Sequence, residues 1–146
     1  LIRLNYAIDM RYGVLEDIGG KVFRGEPVDV ATGNVNFIWQ GDANAQILRA
    51  LAHCTTPTTP LNVSGPEAAS VRALAHAFAA RFGKPAEIVG EEADVVWLIN
   101  TTEASRLFGY PTVPILKMVD WVADWLQRGG RSYGKPTAFD AADGKF

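Results

Sequence analysis

Apolar and polar side chains alternate over Ile2, Arg3, Leu4, Asn5 and Tyr6, so residues 2–6 read as a strand. The sequence offers no turn before it and no neighbour close at hand. The period then changes. Leu15, Ile18 and Val22 recur at helical spacing, Gly25 is placed to stop that helix, and Pro27 enforces the stop. Gly19 and Gly20 each weaken it by up to about 1 kcal/mol. "PVDVATGNVNFIWQ" reads as two short strands joined by a turn at Gly33-Asn34. Asp42 is positioned to cap a helix through "ANAQILRALAH", with Ile47, Leu48 and Leu51 on one face.

The second half is clearer. "TTPTTP" breaks the helix, and residues 61–63 form a short buried strand. Ser70 is an N-cap. Behind it Val71, Leu74, Ala75, Phe78, Ala79 and Phe82 make an apolar stripe that ends at Gly83. A short strand over 87–89 and an extended stretch over 95–99 follow, then a short helix, "EASRLF", that ends at Gly109. Pro114 opens a last helix whose stripe is Ile115, Met118, Val122, Trp125 and Leu126. Each stripe needs a partner, so helices 71–82 and 114–128 are expected to pack together. Residues beyond Gly130 read as a loosely held tail. Strands alternating with helices favour an α/β fold. The strands are few and short for a sheet covered on both faces, which suggests a portion of a larger fold.

Composition narrows the function classes. The chain has 146 residues, 48% of them hydrophobic, and a net charge of −2, enough for one domain with a real core. No basic stripe suggests nucleic acid, no apolar run suggests a membrane span, and no segment reads as a signal peptide. One cysteine, Cys54, suits a cytoplasmic location. "GGRSYGKP" (129–136) approaches the phosphate loop G-x-x-x-x-G-K-[ST], but Pro136 replaces the hydroxyl residue and the segment follows a helix instead of opening one. His53, Cys54 and His76 lack metal-ligand spacing, G-x-S-x-G is absent, and Glu91-Glu92 reads as a solvated loop. No metal site and no catalytic residue are assigned. Trp121 and Trp125 read as core. Trp39, at a strand end before a helix, either lines a pocket or packs.

Five stretches in order carry a resemblance: "LIRLNYA", "GEPVDV", "VNFIWQGDANA", "LNVSGPEAASVRALAHAFAARFGKP", and "SRLFGY" followed by "VPILKMVDWVADWL". Together they resemble the C-terminal part of the extended short-chain dehydrogenases/reductases, the NAD-dependent epimerase/dehydratase family. The third is similar to the family's "RDFVHVDDVA" and the fourth to its "FNVGSGEPVSLRELAELIAEALGKP". The resemblance spans about residues 1–128. It implies a substrate-binding region that includes the last strands of a Rossmann-like sheet, with residues 129–146 as a tail. The opening strand then looks like the sixth strand of a dinucleotide-binding sheet whose neighbours lie upstream.

The resemblance implies NAD or NADP as cofactor of the full-length protein and a small sugar, polyol, carbonyl or alcohol as substrate. Other partners would be the upstream dinucleotide-binding region and, left open, a second copy of the chain. The family's Gly-rich turn and its Y-x-x-x-K acid/base pair are absent here, so this chain alone is expected to be inactive. Val35 stands where the family carries an arginine for the substrate pyrophosphate, which argues against a nucleotide-sugar. Ligands of open α/β sheets sit beyond the strands' carboxyl ends. Asn5 and Tyr6 are therefore expected to meet cofactor and substrate, and Trp39 to wall the substrate. Arg11 either meets an acidic substrate group or is a solvated arginine. A non-catalytic NAD(P)-sensing or interaction module on the same scaffold is the alternative.

Overall fold

The computed structural model describes residues 1–135 together with Thr137 and Phe139. The opening segment splits into β1 (Ile2–Leu4) and β2 (Ala7–Ile8), followed by α1 (Val14–Arg24), β3 (Val28–Asp29), β4 (Thr32–Val35) and β5 (Ile38–Trp39). Then come α2 (Gln40–Ala50), a short 3-10 turn, β6 (Leu61–Val63), β7 (Ala69–Ser70) and α3 (Val71–Phe82). The chain closes with β8 (Ile88–Val89), β9 (Val95–Trp97), α4 (Thr102–Phe108) and α5 (Ile115–Gln127). Four of the described strand pairs are parallel: β1 with β6, β2 with β5, β3 with β8, and β4 with β9. β4 lies between antiparallel β7 and parallel β9. Parallel pairing between strands far apart in sequence makes this an α/β fold. Among the described residues no helix is long and apolar enough to cross a membrane.

The helices build the main core. α3 starts as its sequence dictates, with the Ser70 hydroxyl accepting from the Ala73 amide, and ends at Gly83 in the left-handed region at φ 64°. Val71, Leu74, Ala75 and Phe78 are buried. α3 packs on α5, as expected, and both pack on α1. Gly19 permits that close approach, because a Cβ there would lie 2.8 Å from the Phe78 ring. A smaller cluster, Ile38, Ala43 and Val63, sits under α2.

Several expectations are corrected. Gly33-Asn34 is no turn but the middle of β4, where strands on both sides supply the hydrogen bonds a hairpin would have provided. Asp42 is not the cap of α2, which starts two residues earlier; its carboxylate instead accepts from Thr112 Oγ1 (2.7 Å) and the Val113 amide (3.0 Å). Leu48 and Leu51 are exposed at 67% and 71%, while Asp42, Ala43 and Gln46 form the buried side of α2. Glu91-Glu92 is the exposed loop expected, with Glu92 paired to Arg72 through two hydrogen bonds. The described part of the C-terminal segment is not loose. Phe139 is 1% exposed, its carbonyl accepts from Thr32 Oγ1 and Trp97 Nε1, and Thr137 bonds Asp17. The rest of the expected tail, at 136, 138 and 140–146, lies outside the described residues.

Candidate functional site

β2 and β5 are parallel, and their carboxyl ends deliver Asp9 and Gln40 to the same cleft. This cleft, of about 390 Å³, is completed by Tyr6, Arg11, Tyr12 and Tyr133. It lies where open α/β folds collect ligands. Its floor is a tight turn in which Asp9 and Tyr12 exchange backbone hydrogen bonds of 3.2 and 3.3 Å. That turn brings Arg11 onto Asp9: Nε donates to Oδ1 at 2.9 Å and Nη2 to Oδ2 at 2.7 Å, with the Arg11 amide also on Oδ1. The bidentate pair holds the Asp9 carboxyl below its ordinary range and raises the guanidinium above its own.

Tyr6 carries the cleft's strained backbone, at φ 29°. A bulky residue in that region costs on the order of 1–3 kcal/mol, and such strain concentrates at functional sites. The Ile38 amide bonds the Tyr6 carbonyl at 3.1 Å and fixes the kink between β1 and β2. From the other end of the chain, the Tyr133 amide donates to the Arg11 carbonyl at 3.0 Å. Its ring lies against the guanidinium, 4.7 Å from centroid to Cζ.

Of the four residues singled out in the sequence, Tyr6 and Arg11 line this cleft, while Asn5 and Trp39 are not among its lining residues. Asn5 Nδ2 donates to Asn36 O and Oδ1, both at 2.8 Å. Asn36, 3% exposed, donates in turn to the Gly65 and Ile99 carbonyls and accepts from the Ile99 amide. Asn5 therefore joins a buried network that ties β1 to the chain around β5 and β9. Trp39 packs edge-on against Trp121, with ring centroids 5.0 Å apart. Asp9, Tyr12 and Tyr133 escaped the sequence reading. A carboxylate two residues before Arg11 was visible there, whereas Tyr133 reaches the site only through the return of the chain.

Val35 is wholly buried in β4. Among the described residues no group of three His, Cys, Asp or Glu side chains could hold a metal. Two further concavities lie away from these strand ends. One, of about 500 Å³, lies among Leu1, Ile47, Leu51, Leu61 and Leu107. The other, of about 430 Å³, lies between Phe37, Pro66, Tyr110 and Met118.

No protein-family model matches the sequence, and no curated protein matches it. Solved structures do. UDP-glucuronic acid 4-epimerase from Bacillus cereus, in complex with NAD, superposes with a TM-score of 0.69 at 18% identity, over 87% of this chain and 44% of that one. The Bordetella bronchiseptica enzyme WbmG, in complex with NAD and UDP, gives 0.70 at 19% identity, over 90% and 44%. Thermus thermophilus UDP-glucose 4-epimerase, in complex with NAD, gives 0.65 at 16% identity, over 86% and 45%. The chain has the fold of the C-terminal part of the extended short-chain dehydrogenases/reductases. It spans less than half the length of these solved chains. The fold expected from the five stretches is therefore the fold observed.

Proposed function

We infer that this chain is the substrate-binding part of an NAD(P)-dependent oxidoreductase, epimerase or dehydratase acting on a sugar, polyol or other small carbonyl or alcohol. The observation that carries this reading is the cleft of Tyr6, Asp9, Arg11, Tyr12 and Tyr133 at the carboxyl ends of parallel strands, within a fold shared with NAD-bound epimerases. The exposed thiol of Cys54 suits a reducing, cytoplasmic setting.

The residues of this chain do not fit the cofactor's pyrophosphate. That group favours a Gly-rich turn opening onto a helix N-terminus, and no G-x-x-G occurs in this sequence. The first turn of α1, which begins beside the cleft at Gly13, carries Glu16 and Asp17. NAD(P) would therefore be held mainly by another segment, paired along the open side of β1, where Leu1 and Leu4 are exposed. Bound there, the cofactor would supply hydride transfer. This chain's share is to seat the substrate: Tyr6 and Arg11 line the place, Asn5 holds the strand end behind them, and Trp39 with Trp121 supports β5. Asn5 Oδ1 and the Tyr6 hydroxyl are the atoms assigned to meet the nicotinamide side.

The test is to assay the full-length protein that carries this chain with sugars and polyols, both for NAD(P)H formation and, because epimerisation and dehydration return the hydride to the substrate, for epimerised or dehydrated product. Turnover that Tyr6→Ala and Arg11→Ala abolish, with melting temperature held, supports the reading. Cofactor binding without turnover of any alcohol or carbonyl favours the alternative, a non-catalytic NAD(P)-sensing or interaction relative.

A further inference from the structure

The segment after α5 comes back to the cleft and is held there at several points. The Ser132 hydroxyl bonds the Glu16 carboxylate. The Tyr133 amide donates to the Arg11 carbonyl at 3.0 Å. Gly134, left-handed at φ 61°, turns the chain and sets its amide on Ser132 Oγ at 3.0 Å. Farther on, Thr137 bonds Asp17, and Phe139 is buried with its carbonyl accepting from Thr32 Oγ1 and Trp97 Nε1. The carboxylates at the start of α1 thus hold this segment, and residue 133 is fixed from both sides. Among the described residues past α5, Tyr133 alone lines the cleft. It is 48% exposed, so its ring adds little to the core. What the ring does meet is the Arg11 guanidinium, whose Cζ lies 4.7 Å from its centroid.

Arg11 needs such a hold. Its side chain is 42% exposed, and an ion pair at that exposure does little by itself to keep a long side chain in one place. Asp9 accepts from Nε and Nη2, which occupies one edge of the guanidinium. The Tyr133 ring covers one face by cation–π attraction. The Nη1 edge is left to donate to an acceptor oxygen of a ligand. A donor already fixed in place spares the ordering cost that a loose side chain brings to binding.

We propose that Tyr133 is a positioning residue for Arg11: the C-terminal segment braces the guanidinium against Asp9 and keeps its Nη1 edge turned to the cleft. The benefit to a substrate rests on the substrate-seat reading above, whereas the bracing does not.

The experiment uses the full-length protein and reads Arg11 directly. Nitrogen-15 relaxation of the Arg11 Nε–H group, assigned by its loss in Arg11→Lys, is expected to give an order parameter of about 0.8 in the wild type and in Tyr133→Phe. In Tyr133→Ala it is expected to fall below about 0.6. The melting temperature of Tyr133→Ala should stay within about 2 °C of the wild type, because the ring is half-exposed. In a substrate assay its KM should rise by about three- to fivefold, more than kcat falls, and KM should follow the order parameter across the three proteins. An Arg11 order parameter that is low in the wild type, or unchanged in Tyr133→Ala, overturns the proposal. So does a Tyr133→Ala protein with the wild-type KM. If no sugar or polyol is turned over, the substrate-seat reading fails, and the order parameters still decide whether Tyr133 holds Arg11.

Discussion

Single residues in this chain settle contests between opposing effects. Gly19 sits inside α1, where alanine would gain up to about 1 kcal/mol of helix propensity. The added methyl would lie 2.8 Å from Phe78, however, and that ring is fully buried and unable to yield. Overpacking of this kind costs about 1–3 kcal/mol, so Gly19→Ala is expected to destabilise, as read from a urea midpoint. A stabilised variant would mean that α1 and α3 do not approach as closely as they do here. Glu16 is the second case. Burial, first, raises its carboxyl above the ordinary 4.5, with the Ser132 hydroxyl acting the other way. A carboxyl raised on folding holds its proton longer in the native state. Its contribution is therefore full below about pH 4.5 and is lost as pH rises through the folded value. The Glu16→Gln protein should lack that decline, so its melting temperature should gain on the wild type between pH 4 and 7. Parallel profiles would refute this. Asn5 is the third. Its Nδ2 satisfies Asn36, which is buried, so Asn5→Ala is expected to cost about 1–3 kcal/mol of stability and not activity alone.

At the scale of elements, what could be read from the sequence was what local chemistry determines. Ser70, the Val71-to-Phe82 stripe and Gly83 specify α3 without help from elsewhere, and the element begins and ends where they say. Pro114 and Gly109 likewise bound α5 and α4. The errors share one cause, a partner distant in sequence. Gly33-Asn34 has turn chemistry, but β7 and β9 flank it and make it a strand. Asp42 has cap chemistry, but the loop at Thr112-Val113 claims its carboxylate. Tyr6 and Arg11 could be placed at the cleft from the sequence because a strand end is a local feature. Tyr133 was not, because its place depends on Phe139 returning to the core. The helix pair carries its own prediction: Phe78, buried between α1 and α3, should cost about 3–5 kcal/mol when cut to alanine. A loss below about 1 kcal/mol, far under that range, would contradict the packing described.

For the whole molecule, the surface left open is as informative as the core. β1 pairs only with β6 among the described strands, so its other side presents unpaired backbone groups. Leu1, Leu4, Leu48 and Leu51 are each more than half exposed. Free strand edges and clustered apolar side chains favour association, and native folds usually cover them. The solved chains of the same fold are more than twice as long as the part matched here. A segment laid along β1 would cover this edge and bring the dinucleotide to the carboxyl ends of the strands. Two outcomes follow for the 146-residue chain on its own. It should self-associate, and replacing Leu4 and Leu48 with aspartate should return it to a monomer by light scattering, because the charges interrupt the β1 edge and the exposed apolar side of α2. It should also fail to bind NAD in a calorimetric titration, because its residues hold no pyrophosphate. Micromolar binding by this chain would place the dinucleotide site within these residues. The division of labour between substrate seat and cofactor seat would then be wrong.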